Sequence, residues 1–167
     1  MNNLSDEVSE WNTPIIGAFL LWHFALGYKR KHTTGDAPIV LLFFIASGIL
    51  TNSNFMKEIS RRRKNLESFV RCFTEKHESD LLTCLQSKII KKRAYTAAAI
   101  DIAVSSGLLV WDYDRATLCP KDITITKRGG MKLRKEISKS ADKAELLGEW
   151  FSEHDIPSLT LYLGVIL

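Results

Sequence analysis

The sequence predicts a mainly α-helical protein with one small β-hairpin, in which a winged-helix-like central unit is flanked by buried N-terminal helices and a closing C-terminal helix. Three observations lead there. Two apolar runs, WNTPIIGAFLLWHFALGY at 11–28 and APIVLLFFIASGIL at 37–50, look helical but are too short or too polar to span a bilayer, which takes about 20 apolar residues. The middle of the chain reads helix, helix, glycine, strand, turn, strand. The last third holds an amphipathic helix behind a basic stretch broken by Gly129 and Gly130.

The first helix is expected over about 14–31. Pro14 suits its first turn, Asn12 or Thr13 its cap, and Lys29, Arg30 and Lys31 the negative end of its dipole. Phe19, Leu20, Trp22, Phe24 and Leu26 surround its axis, so it is buried on most sides. The second run reads the same way, with Asp36 as cap and Pro38 just inside, and it stops at TNSN. Together they form a buried pair, part of whose burial a partner protein can supply.

From Asn54 the pattern turns to charged amphipathic helix, with Phe55, Ile59, Leu66, Phe69, Val70 and Phe73 near helical spacing and a break near Lys64 and Asn65. Ser79 or Asp80 can cap a helix through about Lys92, and another runs from about Tyr95 to Ser106. Gly107 sits where a left-handed cap belongs. LLVWDYDRATLCP then reads as a hairpin turning at Asp112 to Arg115. In a winged helix the second of these helices would enter the major groove. Here it carries Ala97, Ala98, Ala99, Ile100, Ile102, Ala103 and Val104 with Asp101 as its one charge, a poor set for reading base edges. It suits packing against protein.

Residues 121–139 are basic and read as a loop or extended excursion. A closing helix from about Ser140 to Glu153 sets Ala144, Leu147, Trp150 and Phe151 on one face. Pro157 ends that region, and the apolar tail SLTLYLGVIL is expected to dock.

At 167 residues, 46% apolar and 25% charged, the chain fits one globular domain. We read 1–9 as a flexible N-terminus and 10–167 as the domain, comprising the helical pair (10–52), the helical and winged-helix-like unit (53–126), and the basic loop, closing helix and tail (127–167). A net charge of +4 permits nucleic acid without demanding it. Cys72, Cys84 and Cys119 form no CxxC pair, and MNNLSDEVSE lacks the build of a signal peptide. A reducing cytoplasm is the expected home, and no membrane.

Motifs for chemistry are missing. No GxxxxGK[ST] run, HExxH or GxSxG occurs, and His23, His32, His77 and His154 are scattered. Asp112 and Asp114 are better turn formers than paired acids. No cofactor is expected. Cations gather instead: Lys57 with Arg61, Arg62, Arg63 and Lys64; Lys88 with Lys91, Lys92 and Arg93; and Lys127 and Arg128 with Lys132, Arg134 and Lys135. Two such groups sharing a surface could hold a nucleic-acid backbone without reading sequence, or meet an acidic partner.

The opening NTPIIGAFLLWHFALGY, the run APIVLLFFIASGIL, the unit ending SSGLLVWDYD and the closing KAELLGEWFSEHDIPSLTLYLGVIL together resemble the middle component of bacterial three-component ABC systems. The pattern is similar to the small accessory subunit of Lamassu-type defence against phages and plasmids, over roughly 10–167. The resemblance implies a non-catalytic subunit that binds a coiled-coil ATPase of the SMC or Rad50 kind and works with an effector, a nuclease. It implies help in coupling DNA engagement to effector activation. Interface candidates are Trp22, Trp111, Trp150, Phe151 and Tyr162, because aromatics dominate interface energetics. Candidates for non-specific contacts to duplex DNA are Arg61, Arg62, Arg63, Lys64, Lys91, Lys92, Arg93, Lys127 and Arg128. The competing class is a stand-alone winged-helix DNA-binding regulator.

Overall fold

A computed structural model describes residues 13–123 and 135–166. The N-terminal segment 1–9 and the candidates Lys127 and Arg128 lie outside the described residues. Its elements are α1 (Pro14–Lys31), α2 (Val40–Leu50), α3 (Ser53–Glu58), α4 (Leu66–Glu75), α5 (Ser79–Thr83), α6 (Leu85–Lys91), α7 (Arg93–Ser105), β1 (Leu109–Asp112), β2 (Thr117–Pro120), α8 (Lys135–Ser152) and α9 (Ile156–Leu163). The fold is mainly helical with a two-stranded antiparallel hairpin. No helix among the described residues is long and apolar enough to cross a membrane.

Helix α1 is the spine. Pro14 occupies its first turn and three basic residues its last. Gly17, Ala18, Leu20, Leu21, Trp22, Phe24, Ala25, Gly27 and Tyr28 are buried. Its closest neighbours are α8 and then α7, with α2 a lesser one. Contacts advance in the same direction along α1 and α8, from His23–Glu145 to Arg30–Glu149 and Lys31–Glu153. The two therefore lie side by side in parallel. Glycines permit this approach: a Cβ on Gly27 would stand 2.0 Å from the Glu145 carbonyl oxygen, and one on Gly148 2.1 Å from that of Phe24.

Helix α2 begins later than the expected Asp36 cap. Leu118 N–H donates to the Pro38 carbonyl at 3.1 Å and Val40 N–H to that of Ala116 at 3.0 Å, while Ile39 bridges Thr117. Pro38 thus lies in an extended edge segment, where its missing N–H costs nothing. Asp36 pairs with Arg115 instead, at 3.3 Å. The helix expected from Ser79 to Lys92 is divided at Cys84 into α5 and α6, and α7 starts at Arg93.

Caps mark the other boundaries. The Asn52 side chain accepts from Asn54 N–H at 2.9 Å and Asn65 from Ser68 N–H at 3.0 Å, which opens α3 and α4 on either side of the break. Gly107, at φ 72°, closes α7 with Leu108 N–H bonded to the Ala103 carbonyl and Gly107 N–H to that of Val104, a Schellman cap. The buried face of α7 comprises Thr96, Ala99, Ile100 and Ala103, and Ala99 and Tyr95 close on Gly17 of α1.

The expected tail is a helix. Asp155 caps α9 through Ser158 N–H at 2.9 Å, with Pro157 inside the first turn and not a terminator of structure. Leu159, Leu163 and Val165 are buried, and Gln86 holds the Ile166 backbone both ways, at 3.0 and 3.1 Å. Two aromatic clusters fill the core. Phe24 meets Phe43 and Phe151 edge-on at 5.5 and 5.4 Å; Phe69 joins Phe73 at 5.2 Å and Trp150 at 5.8 Å. Adjacent residues Trp150 and Phe151 link them.

Candidate interaction surfaces

The five aromatic candidates divide by burial. Trp22 is 3% exposed and donates its indole N–H to the Lys121 carbonyl at 3.0 Å. Trp150, 2% exposed, and fully buried Phe151 lie in the core of the chain itself. Tyr162 is half-buried; its hydroxyl donates to Glu67 at 2.9 Å and its ring meets His154 at 5.3 Å. Trp111 is half-buried on the hairpin and stacks on Tyr113 at 5.8 Å and 11° between planes. Tyr113 is 83% exposed.

Tyr113 was not among the sequence candidates. Its spacing of two from Trp111 held the signal, because the alternation of the strand carries one residue past the end of β1 into the turn. Beyond them, Val110 is exposed on the same hairpin, Ile90 on α6, and Ile166 beside Gln86, the side chain that binds its backbone. Asp112 serves the turn, its Oδ1 accepting from Arg115 N–H at 3.2 Å.

One member of the second basic group reaches α3, where the first group begins. Lys88 of α6 places its ammonium 5.3 Å from the centre of the buried Phe55 ring. Lys143 of α8, absent from the sequence candidates, donates to the Met56 carbonyl. Burial first, and then the nearby Lys139 cation, lower the Lys143 pKa, against the pull of Glu58. Lys139 ends the basic stretch 121–139, but nothing local in the sequence shows that α8 passes α3 and brings Lys143 to it.

Glu58 is the hub. It pairs with Arg63 and Lys76 and accepts from the Cys72 thiol at 3.5 Å. The Lys76 bond first, and then the Arg63 bond, hold its carboxyl below the ordinary range against the opposing effect of burial. Burial pushes the Cys72 thiol up to about 11. Arg63 also donates through Nε to the Glu58 carbonyl at 2.9 Å and through Nη1 to that of Ser68 at 3.5 Å. This candidate is therefore tied into the fold, whereas Arg61, Arg62 and Lys64 are exposed and make no ion pair among the described residues. Lys91 and Arg93 are exposed too, and half-buried Lys92 rests its ammonium 4.8 Å from the Tyr95 ring centre.

On the other side of α8, His23 Nδ1 lies 2.7 Å from Glu145, which also binds Arg30 at 3.0 Å. No group of three or more His, Cys, Asp or Glu that could hold a metal ion occurs among the described residues. The three cysteines are free thiols.

No curated protein and no solved structure matches the chain. The family model for the ABC-three component (ABC-3C) system Middle Component 3 matches residues 1–167. Over its whole length, then, the chain belongs to the Middle Component 3 family of ABC-three component systems.

Proposed function

We propose that the protein is a non-catalytic accessory subunit of a Lamassu-like complex. It binds an SMC- or Rad50-type coiled-coil ATPase in the cytoplasm and helps couple the sensing of phage or plasmid DNA to activation of an effector nuclease. The observation that supports the accessory-subunit part of this reading is the family match across all 167 residues. The geometry supports it with surfaces suited to association. In the stacked Trp111–Tyr113 pair, Tyr113 is exposed and Trp111 half-buried against the core, and rigid aromatics of this kind anchor protein interfaces. Within this reading, Trp111 and Tyr162 keep side-chain surface for a partner, while Trp22, Trp150 and Phe151 are buried in the core of the chain.

The test is a tagged pull-down from the native host at moderate salt, with mass spectrometry of the eluate. A coiled-coil ATPase recovered with an effector supports the reading. A lone homodimer that binds one duplex sequence over others contradicts it and favours the stand-alone regulator. Tyr113→Asp, at an exposed position, is expected to lower recovery of the ATPase roughly tenfold without changing the melting temperature. Equal recovery would remove the hairpin from the interface.

A further inference from the structure

We propose that the loop between α3 and α4, residues 59–65, is a preformed contact for the phosphate backbone of duplex DNA, flanked by Lys57, Lys88 and Lys139. This deepens the accessory-subunit reading and takes its biological setting from it.

Loop order comes first. Ile59 and Leu66 are fully buried and pin the two ends. Arg63 closes the loop from within: its N–H bonds the Ser60 carbonyl at 3.0 Å, and its guanidinium spans the end of α3 at Glu58 and the first turn of α4 at Ser68. Binding then need not order the loop, which removes one of the entropic costs of association.

Presentation follows from it. With Arg63 turned inward, Arg61, Arg62 and Lys64 face solvent without an acidic partner among the described residues. Guanidinium forks match phosphate oxygens well. Lys88 and Lys57 extend the charge along α6 and α3, and Lys139 along α8.

The chemistry favours a phosphodiester backbone over an acidic peptide. Peptide sites pair charge with apolar pockets, yet Phe55, Ile59 and Leu66 at the loop are fully buried and Met56 is half-buried. Cations drawn from three helices and a loop suit a regularly spaced polyanion, one charge per roughly 1.7 Å of duplex axis. Sequence preference is expected to be weak, because Arg61, Arg62 and Lys64 stand on a loop and not on a helix lying in a groove.

The experiment measures fluorescence anisotropy of a labelled 30-base-pair duplex with the full chain, titrated across salt. Binding is expected with a log–log salt slope between about −3.6 and −5.4, for about four to six phosphates. Arg61→Glu/Arg62→Glu is expected to weaken it roughly tenfold or more, and Lys64→Glu/Lys139→Glu similarly, whereas Lys29→Glu at the far end of α1 leaves it unchanged. Unchanged affinity in both double variants, or no binding by the native chain at about 50 mM salt, overturns the proposal. Loss of the protein partner with duplex affinity intact overturns it in favour of an acidic protein surface. Duplex binding that depends on the loop, in a chain that recovers no ATPase, sinks the accessory-subunit reading and leaves this one standing.

Discussion

Gly27 and Gly148 show how single residues set the architecture. A methyl at either position would meet a backbone carbonyl oxygen at 2.0 or 2.1 Å, and a carbonyl in a helix cannot swing away as a side chain can. Gly27→Ala or Gly148→Ala is therefore expected to cost about 3 kcal/mol or more, read by chemical denaturation. Gly35 gives the contrast: it has open space but φ of 70°, so alanine there costs only about 1 kcal/mol. Charge acts at the same scale. The His23 bond first, and then that of Arg30, hold the Glu145 carboxyl below its ordinary value of 4.5, against burial, and Lys76 and Arg63 do the same for Glu58. A depressed folded-state pKa stabilises fully above the unfolded value and is lost as pH falls through the folded one. Stability is expected to decline as pH drops below 4.5, with a shallower decline in Glu145→Gln. An unaltered acid limb in that variant would refute the role of Glu145.

At the scale of elements, α2 and α7 meet through one polar pair. Thr96 donates to Ser47 at 2.7 Å in a buried setting. Thr96→Val should cost about 1–2 kcal/mol by stranding the Ser47 hydroxyl, and adding Ser47→Ala should recover part of it; additive losses would show that the pair is not coupled. Boundaries written in adjacent residues were readable before folding. Pro14 with Lys29–Lys31 bounds α1, Asn65 starts α4, Gly107 ends α7, and WDYDR turns the hairpin. The start of α2 was not, because the contact of Pro38 and Ile39 with β2 joins segments far apart in the chain. The division at Cys84 carries no proline or glycine to announce it. Pro157 opened a helix because Asp155 stands before it as a cap.

For the whole molecule, the aromatic residues mattered in a way that sequence types alone do not disclose. Tryptophan serves core and interface equally well, and only the passage of α8 beside α1 and α4 buries Trp150 and Phe151. Basic residues were clearer as groups than as a surface. Lys88 reaches α3 from another helix, and Lys143 joins it from a third. Arg63 shows the limit of reading by composition: in a run of three arginines, one is a structural brace and two face outward. The central claim is that this chain works by assembly. Its most direct test is light scattering behind size exclusion of the chain co-expressed with the ATPase and effector from the same system. The account expects one peak whose mass contains all three components; a chain that elutes alone at its own mass of 18.9 kDa, with the other two assembled without it, would contradict it.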